Sequence, residues 1–107
     1  MSRIEHRKLV RDRIPEIIAL SGKTACTRTL TREEYIAALD AKLSEELAEY
    51  QADKSMEELA DLLEVMMAVA AARGHDFAEV EAIRRDKAAK RGGFRDRIWL
   101  EAVESPD

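Results

Sequence analysis

Four carboxylates set in mirror order about a single chain reversal restrict this sequence more than any other feature. Glu46 and Glu49 precede the Asp53-Lys54 pair and Glu58 and Asp61 follow it, so the Glu46–Asp61 and Glu49–Glu58 pairs share one midpoint. Each couple has the i, i+3 spacing that puts two side chains on one helix face. If two helices fold back on each other at residues 53–54, Glu49 meets Glu58 and Glu46 meets Asp61 a turn deeper. Carboxylates brought that close repel: at ~5 Å and an effective dielectric near 20, each close pair costs roughly 3 kcal/mol. Such a hairpin calls for positive charge between its helices, and a divalent cation is the simplest source.

The rest of the chain reads as helices around that hairpin. Residues 8–21 are predicted to be a short helix with Pro15 in its first turn and Gly22 as its stop. Thr31 and Glu34 form a capping-box pattern opening a helix to about Ala52, with Tyr35, Leu39, Leu43, Leu47 and Tyr50 as its apolar stripe. Ser55 and Glu58 repeat that pattern before a helix to Arg73, with Gly74 where a glycine cap belongs. Asp76 and Glu79 start a fourth helix, which Gly92-Gly93 ends. Thr24–Leu30 is threonine-rich and aperiodic, a short strand or an ordered loop, and the tail Phe94–Leu100 is an extended segment suited to pair with it. The expectation is an all-α, four-helix-bundle-like fold with minor extended segments, in one domain over residues 1–107.

Between Leu59 and Ala72 only Asp61 and Glu64 are polar. A helix apolar nearly all round is buried on most sides. A domain this small can hardly surround one, so part of that surface, with Met66 and Met67, is expected to meet a second subunit; the other reading is a central core helix within one subunit. A homo-oligomer, dimer or tetramer, follows from the first. Charged residues make up 37% and aromatics 5% of the chain, a helix-rich profile. The net charge of −4 argues against nucleic acid as a partner. No apolar run is long enough for a bilayer, and the charged N-terminus lacks the core of a signal peptide. The lone Cys26 fits a reducing, cytoplasmic setting.

The acids do not read as a solvated salt-bridged face. Position i+4 from Glu46, Glu49, Glu58 and Asp61 is Tyr50, Asp53, Leu62 and Val65, none of them basic, and the Lys42–Glu46 and Lys54–Glu58 pairs run in the weaker orientation. The dipole of the third helix accounts for Glu57 and Glu58 but does not reach Asp61. An all-oxygen ligand set suits Mg²⁺, with Mn²⁺ as the alternative, rather than zinc or copper. His6 and His75 lie outside any Glu-x-x-His pair, which argues against di-iron. Mg²⁺ commonly binds together with substrate phosphates, so a phosphate-bearing ligand is expected. Arg84 to Arg97 carries seven Lys/Arg against two Asp, making Lys87, Lys90, Arg91, Arg95 and Arg97 candidates to hold phosphate; the competing reading is simple complement to a helix C-terminus. Lys8, Arg11 and Arg13 form a weaker basic group.

Taken together, Glu45-Glu46-Leu47-Ala48-Glu49 and Glu58-Leu59-Ala60-Asp61 resemble the Glu-Glu-x-x-Glu and Glu-x-x-Asp motifs of the MazG-like, all-α nucleoside triphosphate pyrophosphohydrolases. KLVRDRIPEII, EELADLLEV and KRGGFRDRIWL look like a house-cleaning, phosphoribosyl-ATP pyrophosphohydrolase-like subgroup, so the resemblance spans nearly the whole chain. It implies a MazG-type fold and Mg²⁺ coordination by Glu46, Glu49, Glu58 and Asp61, with Glu45 as the extra acid of the motif and a candidate base for water. The implied reaction is hydrolysis of a nucleoside triphosphate, non-canonical by preference, to the monophosphate and pyrophosphate. Only eight residues separate Glu49 from Glu58, shorter than in many members, which leaves little loop for recognising a base. Two rival readings stand beside it: the phosphoribosyl-ATP pyrophosphohydrolase of histidine synthesis, and a non-catalytic helical dimer module.

Overall fold

The computed structural model describes residues 2–106; the two end positions of the domain read over 1–107 lie outside them. Four helices carry the regular structure: α1 (Ile14–Leu20), α2 (Arg32–Asp53), α3 (Met56–Ala72) and α4 (Phe77–Arg91). No strand forms among the described residues. The chain divides into two compact units, the first ending at His75 and the second starting at Asp76.

The helix ends follow local chemistry. At α2 the Thr31 hydroxyl accepts from the Glu34 amide at 3.2 Å and the Thr31 amide donates to Glu34 Oε1 at 3.0 Å, a complete capping box. Asp76 and Glu79 form the same reciprocal pair at α4. At α3 only half of the predicted box forms: Ser55 Oγ accepts from the Glu58 amide at 3.2 Å, but Glu58 makes no return bond. Its carboxylate faces the neighbouring acids instead. At the far end of α3, the His75 amide donates to the Ala70 carbonyl and the Gly74 amide to that of Ala71, with Gly74 at φ +84°. That left-handed turn is cheap for glycine and closes the last orphan carbonyls.

Lys54 makes the reversal between α2 and α3 in the left-handed region (φ 61°, ψ 18°), its amide donating to the Tyr50 carbonyl and its amine lying 5.6 Å from the centre of the Tyr50 ring. The two long helices pack as an antiparallel hairpin, the one packed helix pair among the described residues. At its open end Arg32 donates to the Ala72 carbonyl at 3.2 Å and Arg73 pairs with Asp40 at 3.0 Å.

The buried seam of α2 runs Leu39, Leu43, Glu46, Tyr50, in steps of four, three and four. Leu47, expected in the stripe, is 45% exposed, because a run of i+4 steps drifts around the helix whereas the 4-3-4 rhythm stays on one face. The position that Leu47 was expected to fill belongs to Glu46. On α3 the inward residues are Leu62, Val65, Val69 and Ala70, while Met56, Leu59, Leu63, Met66 and Met67 are exposed. Met56, Leu59, Ala60, Leu62, Leu63 and Met66 line an apolar groove of about 340 Å³.

Two expectations need correcting. α1 begins at Ile14, not at residue 8, because helix over 8–13 would put Pro15 in an interior position where its ring clashes with the carbonyl four residues back. Phe94–Leu100 is not a strand, and of the two readings of Thr24–Leu30 the loop is the one observed. A two-stranded ribbon without a supporting face is marginal in water, and both segments keep irregular backbone.

Candidate metal centre

The hairpin turns Glu46 from α2 and Glu58 and Asp61 from α3 toward one point: each offers a carboxylate oxygen within 4.8 Å of the others. Glu46 is only 7% exposed. Glu46 Oε2 and Glu58 Oε2 are both buried without a hydrogen-bond partner. A buried carboxylate oxygen is ordinarily satisfied, and leaving one unpaired is expensive. Three acids carrying two such orphans are residues that could hold a hard cation.

The electrostatics agree with that reading. Burial first, then the charges of Glu49 and Asp61, a hydrogen bond with Glu49 and finally the charge of Glu46 push the Glu58 carboxyl above its ordinary value. Glu49 thus acts on the cluster through Glu58, although its own oxygens lie outside the tight group of three. Three oxygen-only side chains around one point, with Glu49 beside them, are a donor set that suits a hard divalent ion such as Mg²⁺ or Mn²⁺.

Cations from the protein flank the acids. Lys42 Nζ lies 3.2 Å from Glu45 Oε1 and 3.4 Å from Glu46 Oε1. Burial lowers the Lys42 pKa, but Glu45 and Glu46 outweigh it and hold the amine above the ordinary lysine value. On the other side Arg11 donates to Asp61 Oδ1 at 2.7 Å and stands 3.7 Å from Glu64 Oε1. Between these groups lies an open cavity of about 240 Å³ lined by Lys8, Val10, Arg11, Ile14, Lys42, Glu46 and Asp61. Its walls carry three cations next to two of the acids.

Of the basic residues singled out in the sequence, Lys8 and Arg11 line this cavity. Lys87, Lys90 and Arg91 lie on α4, with Arg95 and Arg97 just beyond it, all in the second unit. Lys90 pairs with Asp86 at 3.0 Å, and Arg84 and Arg85 with Glu81, whose carboxyl their hydrogen bonds hold below its ordinary value. Glu64 faces Arg11, and Arg73 takes Asp40. Lys42 reads from the sequence only as a weakly oriented i, i+4 partner of Glu46, not as a cation of the site. Its spacing to Glu45 (i+3) and Glu46 (i+4) was visible, but nothing in the sequence marks that face of α2 as buried.

No family model matches the chain, and no solved structure does. A 45-residue stretch is 64% identical to an uncharacterized protein of Mycolicibacterium smegmatis, over 42% of this chain and 46% of that protein. The match therefore spans about half the length of that relative.

Proposed function

We propose that the protein is a Mg²⁺-dependent nucleotide pyrophosphohydrolase of the MazG-like type, with Mn²⁺ as an alternative ion, acting on a non-canonical nucleoside triphosphate. One observation carries the reading: Glu46 Oε2 and Glu58 Oε2 are buried, unpartnered and in one cluster with Asp61. The motif resemblance supplies the reaction, and the cation-walled cavity beside the acids supplies room for phosphate. In this reading Glu46, Glu49, Glu58 and Asp61 hold the ion. When bound, the ion neutralises charge on the phosphate oxygens and on the departing pyrophosphate. Lys8 and Lys42 orient the polyphosphate from the cavity wall. Glu45 keeps the Lys42 amine in position and is the candidate base for water. Water adds to the α-phosphorus as the bond to the bridging oxygen breaks, releasing the monophosphate and pyrophosphate.

The assembly belongs to the same proposal. Leu39, Val65 and Ala70 are the buried apolar residues of the described chain, a small core for a stable domain, while one face of α3 exposes leucines and methionines in a row. A second copy packing on that face makes the working unit a homo-oligomer in the cytoplasm. No helix is long and apolar enough to cross a membrane among the described residues.

Canonical, deoxy- and chemically altered nucleoside triphosphates incubated with Mg²⁺ or Mn²⁺ and assayed for pyrophosphate test the reaction. Release from at least one of them, lost in Glu49→Ala, Glu58→Ala and Asp61→Ala with helical content retained, is the expected result. Unchanged turnover in those variants, or no pyrophosphate from any nucleotide, contradicts it.

A further inference from the structure

Arg11 is bound to the acid cluster in a way its neighbours are not. It lies in the irregular segment before α1, its side chain is 57% exposed, and it meets the 41%-exposed Asp61 at 2.7 Å. Lys42, by contrast, is largely buried, is held by two carboxylates, and engages Glu46 through Oε1, leaving Oε2 without a partner. Arg11 therefore occupies one of the three clustered acids from the solvent side. Its second carboxylate, Glu64 at 3.7 Å, is not part of the cluster and remains as a partner if Asp61 is given up. A guanidinium on an irregular segment with an alternative anion close by costs little to move.

We infer that Arg11 is the resident counter-ion of this centre, so that a divalent cation and the Arg11 guanidinium compete for Asp61, and Glu64 takes the guanidinium once it is displaced. The inference rests on the metal-binding reading given above. It makes the empty cluster tolerable by offsetting part of its negative charge, and it sets the threshold for loading. A displaced Arg11 also stays at the wall of the cavity, positioned for anionic ligand chemistry there.

Calorimetric titration of Mn²⁺ alone into wild type, Arg11→Met and Arg11→Lys at low salt tests it. Removing the competitor is expected to tighten Mn²⁺ binding by about 2- to 5-fold, the range an exposed ion pair is worth. Arg11→Lys, which keeps the charge, is expected to bind Mn²⁺ like wild type. Equal binding by wild type and Arg11→Met overturns the competition and leaves the metal centre standing. Weaker binding in Arg11→Met also overturns it, since Arg11 then positions Asp61 for the ion. Tightening in Arg11→Lys equal to that in Arg11→Met shows that charge is not the cause and overturns it as well. No Mn²⁺ uptake by either wild type or Arg11→Met removes the metal reading and this inference together.

Discussion

At the scale of single residues, the centre of this protein is a core position filled by an acid. Glu46 takes a place in the 4-3-4 seam of α2 that an apolar side chain would fill more cheaply, and Glu58 gives up its half of a capping box to face it. The spacing of the four acids was legible in the sequence, because i, i+3 repeats fix a helix face whatever surrounds it. The pairing of Arg11 with Asp61 was not, since an irregular segment carries no periodicity from which to place a side chain, and the burial of Lys42 was not, since its helix spacing does not say which face is covered. The raised Glu58 pKa has a definite sign. The folded protein holds that proton more tightly than the unfolded chain, so the associated stability is complete below the ordinary glutamate value and lost as pH rises through the raised one. In metal-free protein the urea midpoint is therefore expected to fall over a step just above the ordinary carboxylate range, and Glu58→Gln to flatten that step. Glu34 works in the opposite direction: its hydrogen bond from Arg28 holds it down to about 2, so its contribution is present above the ordinary value and lost as pH falls toward about 2. The two windows lie on opposite sides of the ordinary glutamate value, and a pH series separates them.

At the scale of elements, helix ends were the most readable feature and extended segments the least. Thr31, Ser55 and Asp76 start helices because a side-chain oxygen can satisfy an orphan amide, and Gly74 stops one because it accepts positive φ. These are local rules needing no knowledge of packing. Thr31→Ala is expected to cost about 1 kcal/mol in urea denaturation, with the slope unchanged. Gly74→Ala is expected to cost about 1 kcal/mol through backbone strain alone, since nothing lies near enough for the added Cβ to clash. A loss well under half of that in either variant contradicts the cap assignments. Thr24–Leu30 takes the loop of its two readings and Phe94–Leu100 forms no strand, because β-branched or aromatic composition describes a preference, while a strand also needs a partner and a face to pack on.

At the scale of the whole molecule, the third helix announced in its composition that more than one surface wants covering. α3 buries Leu62, Val65, Val69 and Ala70 against its partner helix and leaves Leu59, Leu63, Met66 and Met67 outward. Sequence alone could not say which apolar residues go in and which stay out, because a nearly uniform helix gives little contrast between faces. If a second copy covers the outer face, Leu63→Glu and Met66→Lys place charges in a desolvated interface, and sedimentation equilibrium should show a smaller species than wild type. Wild type sedimenting as a monomer, or variants assembling as wild type does, contradicts the oligomer.

The central claim is that the orphaned oxygens of Glu46 and Glu58 await a divalent cation, and electron paramagnetic resonance of Mn²⁺ tests it most directly. As wild-type protein is added, the free-ion signal is expected to fall to saturation, and Glu58→Gln is expected to abolish that fall while its helical content stays the same. A free-ion signal that wild type leaves intact with and without nucleotide, or that Glu58→Gln quenches equally, contradicts the account.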